Sequence, residues 1–177
     1  DLNIGNVSDF SFDKTGRYLA YVIDAPDKAG NGVQLRVMET GAVSVLDSDA
    51  ATYERLAWTE KGDGLAVLKG SDDKAWQDKL YTVIGFTDLA RGAGALRVTF
   101  DPKSDTSFPE GMSISPDRTP GWTDDLSAVT FGIRKIRKKP ADDKPAAAPA
   151  GAGTPPAAGD TEKADDTPAH PEPDGGL

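Results

Sequence analysis

Short runs rich in Val, Ile, Leu and aromatic residues alternate with Asp/Gly/Lys/Thr turns along most of this chain, the strand-and-turn pattern of an all-β protein. Val7–Phe12 reads as a strand, Asp13–Gly16 as a turn, and Arg17–Ile23 as a second strand with apolar side chains on both faces. A strand of that kind is expected to lie between two layers. Asp24–Gly32 reads as a polar loop, Val33–Met38 as a third strand, Glu39–Gly41 as a turn and Ala42–Leu46 as a fourth strand. Four antiparallel strands in about 40 residues is the size of one β-propeller blade. No amphipathic helix is predicted in residues 1–139. The nearest candidate, around Trp76, is short and polar.

The pattern returns. Phe10-Ser11-Phe12-Asp13-Lys14-Thr15-Gly16-Arg17-Tyr18-Leu19-Ala20-Tyr21 is matched by Leu56-Ala57-Trp58-Thr59-Glu60-Lys61-Gly62-Asp63-Gly64-Leu65-Ala66-Val67, with Phe12 and Trp58 46 residues apart. Lys79–Phe86 and Leu96–Phe100 read as the outer strands of the second unit. Met112–Asp117 reads as a strand running into a turn, and Trp122–Phe131 as a third return of the inner hairpin. A single four-stranded sheet with two apolar faces cannot cover both, whereas stacked sheets cover one another. The expected fold is therefore all-β: antiparallel four-stranded blades of an incomplete β-propeller over residues 1–137, in units 7–46, 52–100 and 108–137. A small complete β-sandwich with a coincidental repeat is the alternative.

Composition changes sharply after that. Residues 140–177 hold 8 Pro, 10 Ala and 5 Gly in 38 positions, with no aromatic residue, no Val and no Ile. Such a stretch cannot bury enough apolar surface to offset its conformational entropy. Residues 138–177 are thus expected to form a disordered Ala/Pro/Asp-rich linker or insertion. The net charge is -9, of which residues 140–177 supply -6 (eight acidic, two basic side chains) and residues 1–139 supply -3. A mildly acidic domain lacks the basic footprint of a nucleic-acid binder. No stretch is long and apolar enough to span a bilayer as a helix. No cysteine is present, so neither disulfides nor thiolate metal sites are available.

The aromatic–Ser/Thr hairpins quoted above resemble the repeats of TolB-like propellers and of the N-terminal propeller of prolyl oligopeptidase family serine peptidases. Leu80–Phe86 and Leu126–Ile133, the latter followed by a basic run, lean toward the peptidases. The resemblance covers about residues 4–137. It implies a bacterial propeller segment with a long insertion, gating and positioning peptide substrates for a C-terminal α/β-hydrolase domain beyond this chain. It also implies a periplasmic or secreted location, with the cytoplasm as the alternative. A TolB-like protein-binding propeller of the cell envelope, without enzymatic activity, is the alternative function.

No catalytic residue, cofactor site or metal site is assigned. Gly111-Met112-Ser113-Ile114-Ser115 lacks the second Gly of the hydrolase nucleophile elbow. His170, the sole histidine, sits in the tail between Ala169 and Pro171, where nothing is expected to orient it. The acidic pairs Asp47/Asp49, Asp72/Asp73 and Asp124/Asp125 do not follow calcium-loop spacing and read as exposed turn residues. Gly92-Ala93-Gly94 reads as a turn rather than half of a dinucleotide fingerprint. Arg134, Lys135, Arg137, Lys138 and Lys139 read as a solvated flank. Trp58 and Trp122 are expected to pack into the core. Trp76, with polar neighbours, is the one aromatic residue singled out for peptide or partner contact.

Overall fold

The computed structural model describes residues 4–140, and within them the protein is all-β, with almost no helix. β1 (Val7–Phe12), β2 (Tyr18–Ile23), β3 (Gly32–Val37) and β4 (Val43–Ser48) form one antiparallel sheet in the order of the chain. β5 (Thr52–Trp58), β6 (Gly64–Ser71), β7 (Leu80–Thr87) and β8 (Leu96–Phe100) form a second in the same order. The third unit is smaller. β9 (Met112–Ile114) pairs with β12 (Ile133–Lys135), and β10 (Gly121–Trp122) with β11 (Val129–Thr130). The two pairs make one long hairpin, stitched by Ser115 N–H donating to Gly132 C=O at 2.8 Å, with Pro116–Pro120 looped out of one arm. The 3₁₀ turns at Leu89–Gly94 and Pro102–Ser104 are the only helical pieces among the described residues. The expected tail falls almost wholly outside those residues.

The three hairpins repeat atom by atom. Phe12 faces Leu19, Trp58 faces Leu65 and Trp122 faces Val129, each pair seven residues apart in the chain. In each turn the residue after the aromatic closes the loop through its backbone N–H, which donates to the carbonyl five residues on: Asp13 to Tyr18, Thr59 to Gly64, Thr123 to Ala128. The side chain of that same residue accepts the returning N–H, from Tyr18 at 2.7 Å, Gly64 at 3.1 Å and Ala128 at 3.1 Å. This is why Asp or Thr stands there: a short oxygen-bearing side chain satisfies an amide the turn would leave open. Three residues further on the backbone is left-handed in every case, at Gly16 (φ 73°), Gly62 (φ 69°) and Leu126 (φ 58°). Only the third copy forces a side chain into that conformation, against a steric cost of about 1 kcal/mol or more.

The third turn also carries a pH signature. Asp125 accepts from Thr123 Oγ1 and Ser127 Oγ at 2.7 Å each and from Ser127 N–H at 3.1 Å. The Thr123 bond, then the Ser127 bonds, stabilise the ionised carboxylate and hold its pKa down to about 2. The unfolded value is about 3.9. Because the folded value is the lower one, this contribution is complete above pH ~4 and fades as pH falls through 2. A carboxyl ¹³C titration should place Asp125 near 2. A midpoint near 4 would mean the turn is not formed as described.

Packing follows from which faces are apolar. Tyr18, Ala20, Val22, Val33 and Leu35 line one face of the first sheet and meet Tyr53, Leu65, Val67, Ile84 and Phe86 of the second in a continuous buried core. Each fully buried side chain of this size contributes about 1.5–3 kcal/mol. Trp58 stacks on Tyr18 (centroids 6.2 Å apart, planes 11° apart), and its Nε1–H donates to Ser11 C=O at 3.1 Å. Phe12 and Trp58 thus sit in different sheets packed against each other. The far face of the second sheet holds Leu68, Tyr81 and Val83, which the third hairpin covers with Ile114, Val129 and Phe131. The far face of the first sheet carries Val7, Phe10, Phe12, Val43 and Val45, all exposed, with Phe10 63% accessible.

Asp47 departs from its expected place. It is buried (7% exposed) between the two sheets rather than on an exposed turn. Tyr53 donates its hydroxyl to Asp47 Oδ2 at 2.7 Å, Lys69 Nζ lies 3.2 Å from the same oxygen, and Arg97 reaches Oδ1 at 2.6 Å. Burial, then the Asp47 carboxylate accepting its proton, raises the Tyr53 pKa, so the phenol stays a donor. Asp49, Asp72 and Asp124 are exposed, as expected.

Candidate functional site

Trp76 lies in the β6–β7 connection, which is not helical. Residues 75–77 run antiparallel to the chain leaving β12. Trp76 bridges Lys138, Lys139 N–H donates to Ala75 C=O at 2.9 Å, and Gln77 N–H donates to Arg137 C=O at 2.9 Å. The ordered pairing therefore runs two residues past position 137. The connection is also pinned by charge. Asp73 accepts from Ala75 N–H at 2.9 Å and from Lys103 Nζ at 3.0 Å, and these two bonds, in that order, lower its pKa. Asp78 accepts from Arg137 N–H at 3.0 Å and faces the guanidinium groups of Arg137 (3.5 Å) and Arg134 (3.7 Å). The Arg137 N–H and then its guanidinium lower the Asp78 pKa.

The basic run is exposed at Lys135, Arg137, Lys138 and Lys139, as expected of a solvated flank, and it makes contacts besides. Arg134 also pairs with Asp117 at 3.5 Å, and Lys138 places its ammonium 5.6 Å from the centre of the Trp76 ring. Lys139 donates to Asp73 C=O at 2.9 Å. Four of the five cations thus clasp neighbouring segments, three of them on the β6–β7 connection alone, while Lys135 stays in solvent.

Trp76 forms one wall of an open cleft of about 290 Å³ with Tyr81, Phe108 and Met112, while Asp101, Lys103 and Glu110 stand at its margin. The ring is partly exposed. Tyr81 donates its hydroxyl to Glu54 at 2.6 Å, and burial followed by that carboxylate raises its pKa, which keeps it protonated. Apolar floor with polar margin suits a short segment of chain carrying one large side chain. Ser113, the residue of the partial Gly-x-Ser motif, is buried in strand β9, with its Oγ 3.4 Å from the Tyr81 N–H. That is strand geometry rather than a strand-to-helix elbow. Among the described residues no group of three or more His, Asp or Glu side chains is placed to hold a metal ion, and no helix is long and apolar enough to cross a membrane. His170 lies outside the described residues.

No family model matches this sequence, and no curated protein matches it.

A second cleft, of about 450 Å³, opens between β8 and the third hairpin and escaped the sequence reading. Val83, Leu96, Val98 and Phe100 form one side; Trp122, Val129 and Phe131 form the other. Phe100 and Phe131 stack at 5.1 Å at its inner end. The one local signal was Gly85 inside an otherwise bulky strand, because a glycine there marks a close approach. A Cβ on Gly85 would meet Trp122 Cζ2 well inside contact distance.

Proposed function

We propose that this chain is a non-catalytic segment of a β-propeller from a prolyl oligopeptidase-like serine peptidase, and that its role is to admit and position peptides for a hydrolase domain elsewhere in the polypeptide. The carrying observation is the thrice-repeated hairpin in sheets that are apolar on both faces. Two complete four-stranded meanders stack in sequence order, a third begins, and the outermost face still carries Phe10 and Phe12 in contact with solvent. A two-layer sandwich accounts for neither the third layer nor that outer face. A closing ring of such sheets accounts for both. Residues 141–177 follow β12 where the β2–β3 and β6–β7 connections follow β2 and β6, which reads as an insertion within the third blade.

On this reading Trp76 sits on a peptide path. In the full-length polypeptide, Trp76→Ala should raise KM for an unstructured peptide substrate about five-fold while kcat moves less than two-fold. An unchanged KM removes Trp76 from the path. The reading frame itself decides the larger question. A Gly-x-Ser-x-Gly sequence followed by Asp and then His downstream of the repeats supports a peptidase. Further repeats with no hydrolase would turn the assignment to a TolB-like protein-binding propeller, and no further repeats would end both.

A further inference from the structure

The cleft walled by Trp76, Tyr81, Phe108 and Met112 carries an imbalance of charge at its margin, and from it we infer that the segment it takes inserts one arginine side chain. The inference rests on reading that cleft as a peptide site, and it names which peptides the site selects. Three charged residues border the cleft: Asp101, Lys103 and Glu110. Lys103 is already engaged. Its ammonium lies 3.0 Å from Asp73 Oδ2, and Asp73 is not part of the cleft wall. The Asp101 carboxylate accepts from the Lys103 N–H at 2.9 Å, a bond that leaves its charge in place. Neither Asp101 nor Glu110 has a salt-bridge partner among the described residues. Two carboxylates without a cation therefore stand at the mouth of an opening lined by rings and a thioether.

A large apolar anchor would take water from those carboxylates and pair with neither, which is unfavourable. A long cationic side chain suits both parts of the site. Its methylenes lie against Phe108 and Met112 while its charged head reaches the margin. The volume of about 290 Å³ falls just under the roughly 300–1,000 Å³ of a site for a whole small molecule, so it admits one side chain rather than several. Arginine fits better than lysine, because its planar guanidinium stacks on an aromatic ring and offers N–H groups to two carboxylates at once. Trp76 already attracts a cation in this molecule. The Lys138 ammonium lies 5.6 Å from its ring centre, and Lys138 is outside the cleft wall. The walls are also set before any peptide arrives. Phe108 leans on Phe100, with ring centroids 6.1 Å apart, and the Trp76 segment is paired with residues 137–139. Little has to be ordered on binding.

The test is an NMR titration of the 177-residue chain with capped alanine hexapeptides carrying arginine, citrulline or norleucine at the third position, read at the amides of Phe108, Glu110 and Met112. Citrulline keeps the planar group and removes the charge. The arginine peptide should bind about ten-fold more tightly than either of the others at low ionic strength. That preference should shrink below about two-fold in the double variant Asp101→Asn, Glu110→Gln, which preserves shape and the acceptor for the Lys103 N–H. Trp76→Ala should weaken all three peptides. Equal affinity for arginine and citrulline would overturn the inference, and if Trp76→Ala still weakened both, the peptide site itself would stand. An arginine preference that survives the double variant would place the cation elsewhere on this acidic chain and overturn it too. No shift at the three amides with any peptide would remove the cleft altogether. The expected preference, together with an unchanged KM for Trp76→Ala in the full-length polypeptide, would keep the arginine site and discard the peptidase path.

Discussion

Asp47→Ala should destabilise the protein by about 3–5 kcal/mol, the cost of leaving buried partners of a broken ion pair unmatched. Lys69 is only 15% exposed and keeps one carboxylate, that of Asp49, at 2.7 Å. Tyr53 is 1% exposed and loses the acceptor for its hydroxyl outright. Arg97 is freer to turn to solvent, so it adds little. The cluster spans β4, β5, β6 and β8, and so it ties one sheet to the next. A domain of this size has roughly 5–15 kcal/mol in total, so the loss is visible as a fall of more than 1 M in the urea midpoint. Asp47→Asn retains an acceptor for Tyr53 and should cost about half as much. A midpoint within 0.3 M of the parent for Asp47→Ala would show that the two sheets are not joined through this residue.

Gly85→Val tests the other interface. In an ordinary strand this change is favourable, since Val outperforms Gly by up to about 1 kcal/mol. At position 85 the new Cβ would meet Trp122 Cζ2 well inside contact distance and Val98 Cγ2 at 3.0 Å. Overpacking of this kind costs about 1–3 kcal/mol, which outweighs the propensity gain and is spent pushing the third hairpin off the second sheet. The expected result is a net loss of about 2 kcal/mol with a red shift in tryptophan emission. In a Trp122→Ala background the same change should be neutral or stabilising. Equal effects in both backgrounds would mean that Trp122 does not rest on Gly85.

The sequence made the strands readable and left the joints between sheets obscure. Val7–Phe12 and Leu96–Phe100 are found where the apolar runs between turns place them, and the equivalence of Phe12, Trp58 and Trp122 holds to the hydrogen bond, because turn chemistry and short apolar runs are local. Asp47 was misread because its partners lie 6, 22 and 50 residues away on other strands. Asn31 was lost in a polar loop for the same reason. It is fully buried, accepting from Ala25 N–H at 2.7 Å while donating to Asp24 and Ala51, and it pins the β2–β3 loop to the start of the second sheet. Arg55 was equally invisible. A bulge in β5 gives it a left-handed backbone (φ 64°) and sends its guanidinium to Pro116 C=O at 2.7 Å, across to the third unit. At the Trp76 cleft, the tryptophan was legible as an odd aromatic among polar neighbours. Its clasp with Lys138 was not, because a run of cations reads as solvated until the acceptors facing it are known.

The uncovered wall made by Val7, Phe10, Phe12, Val43 and Val45 governs how this protein behaves in a test tube. Oily side chains held flat and rigid by a sheet attract detergent monomers, dye molecules and one another. The surplus of negative charge, -9 over the whole chain, keeps copies apart in dilute buffer and is blunted by salt. Raising ionic strength should therefore favour clumping of this protein well before it unfolds.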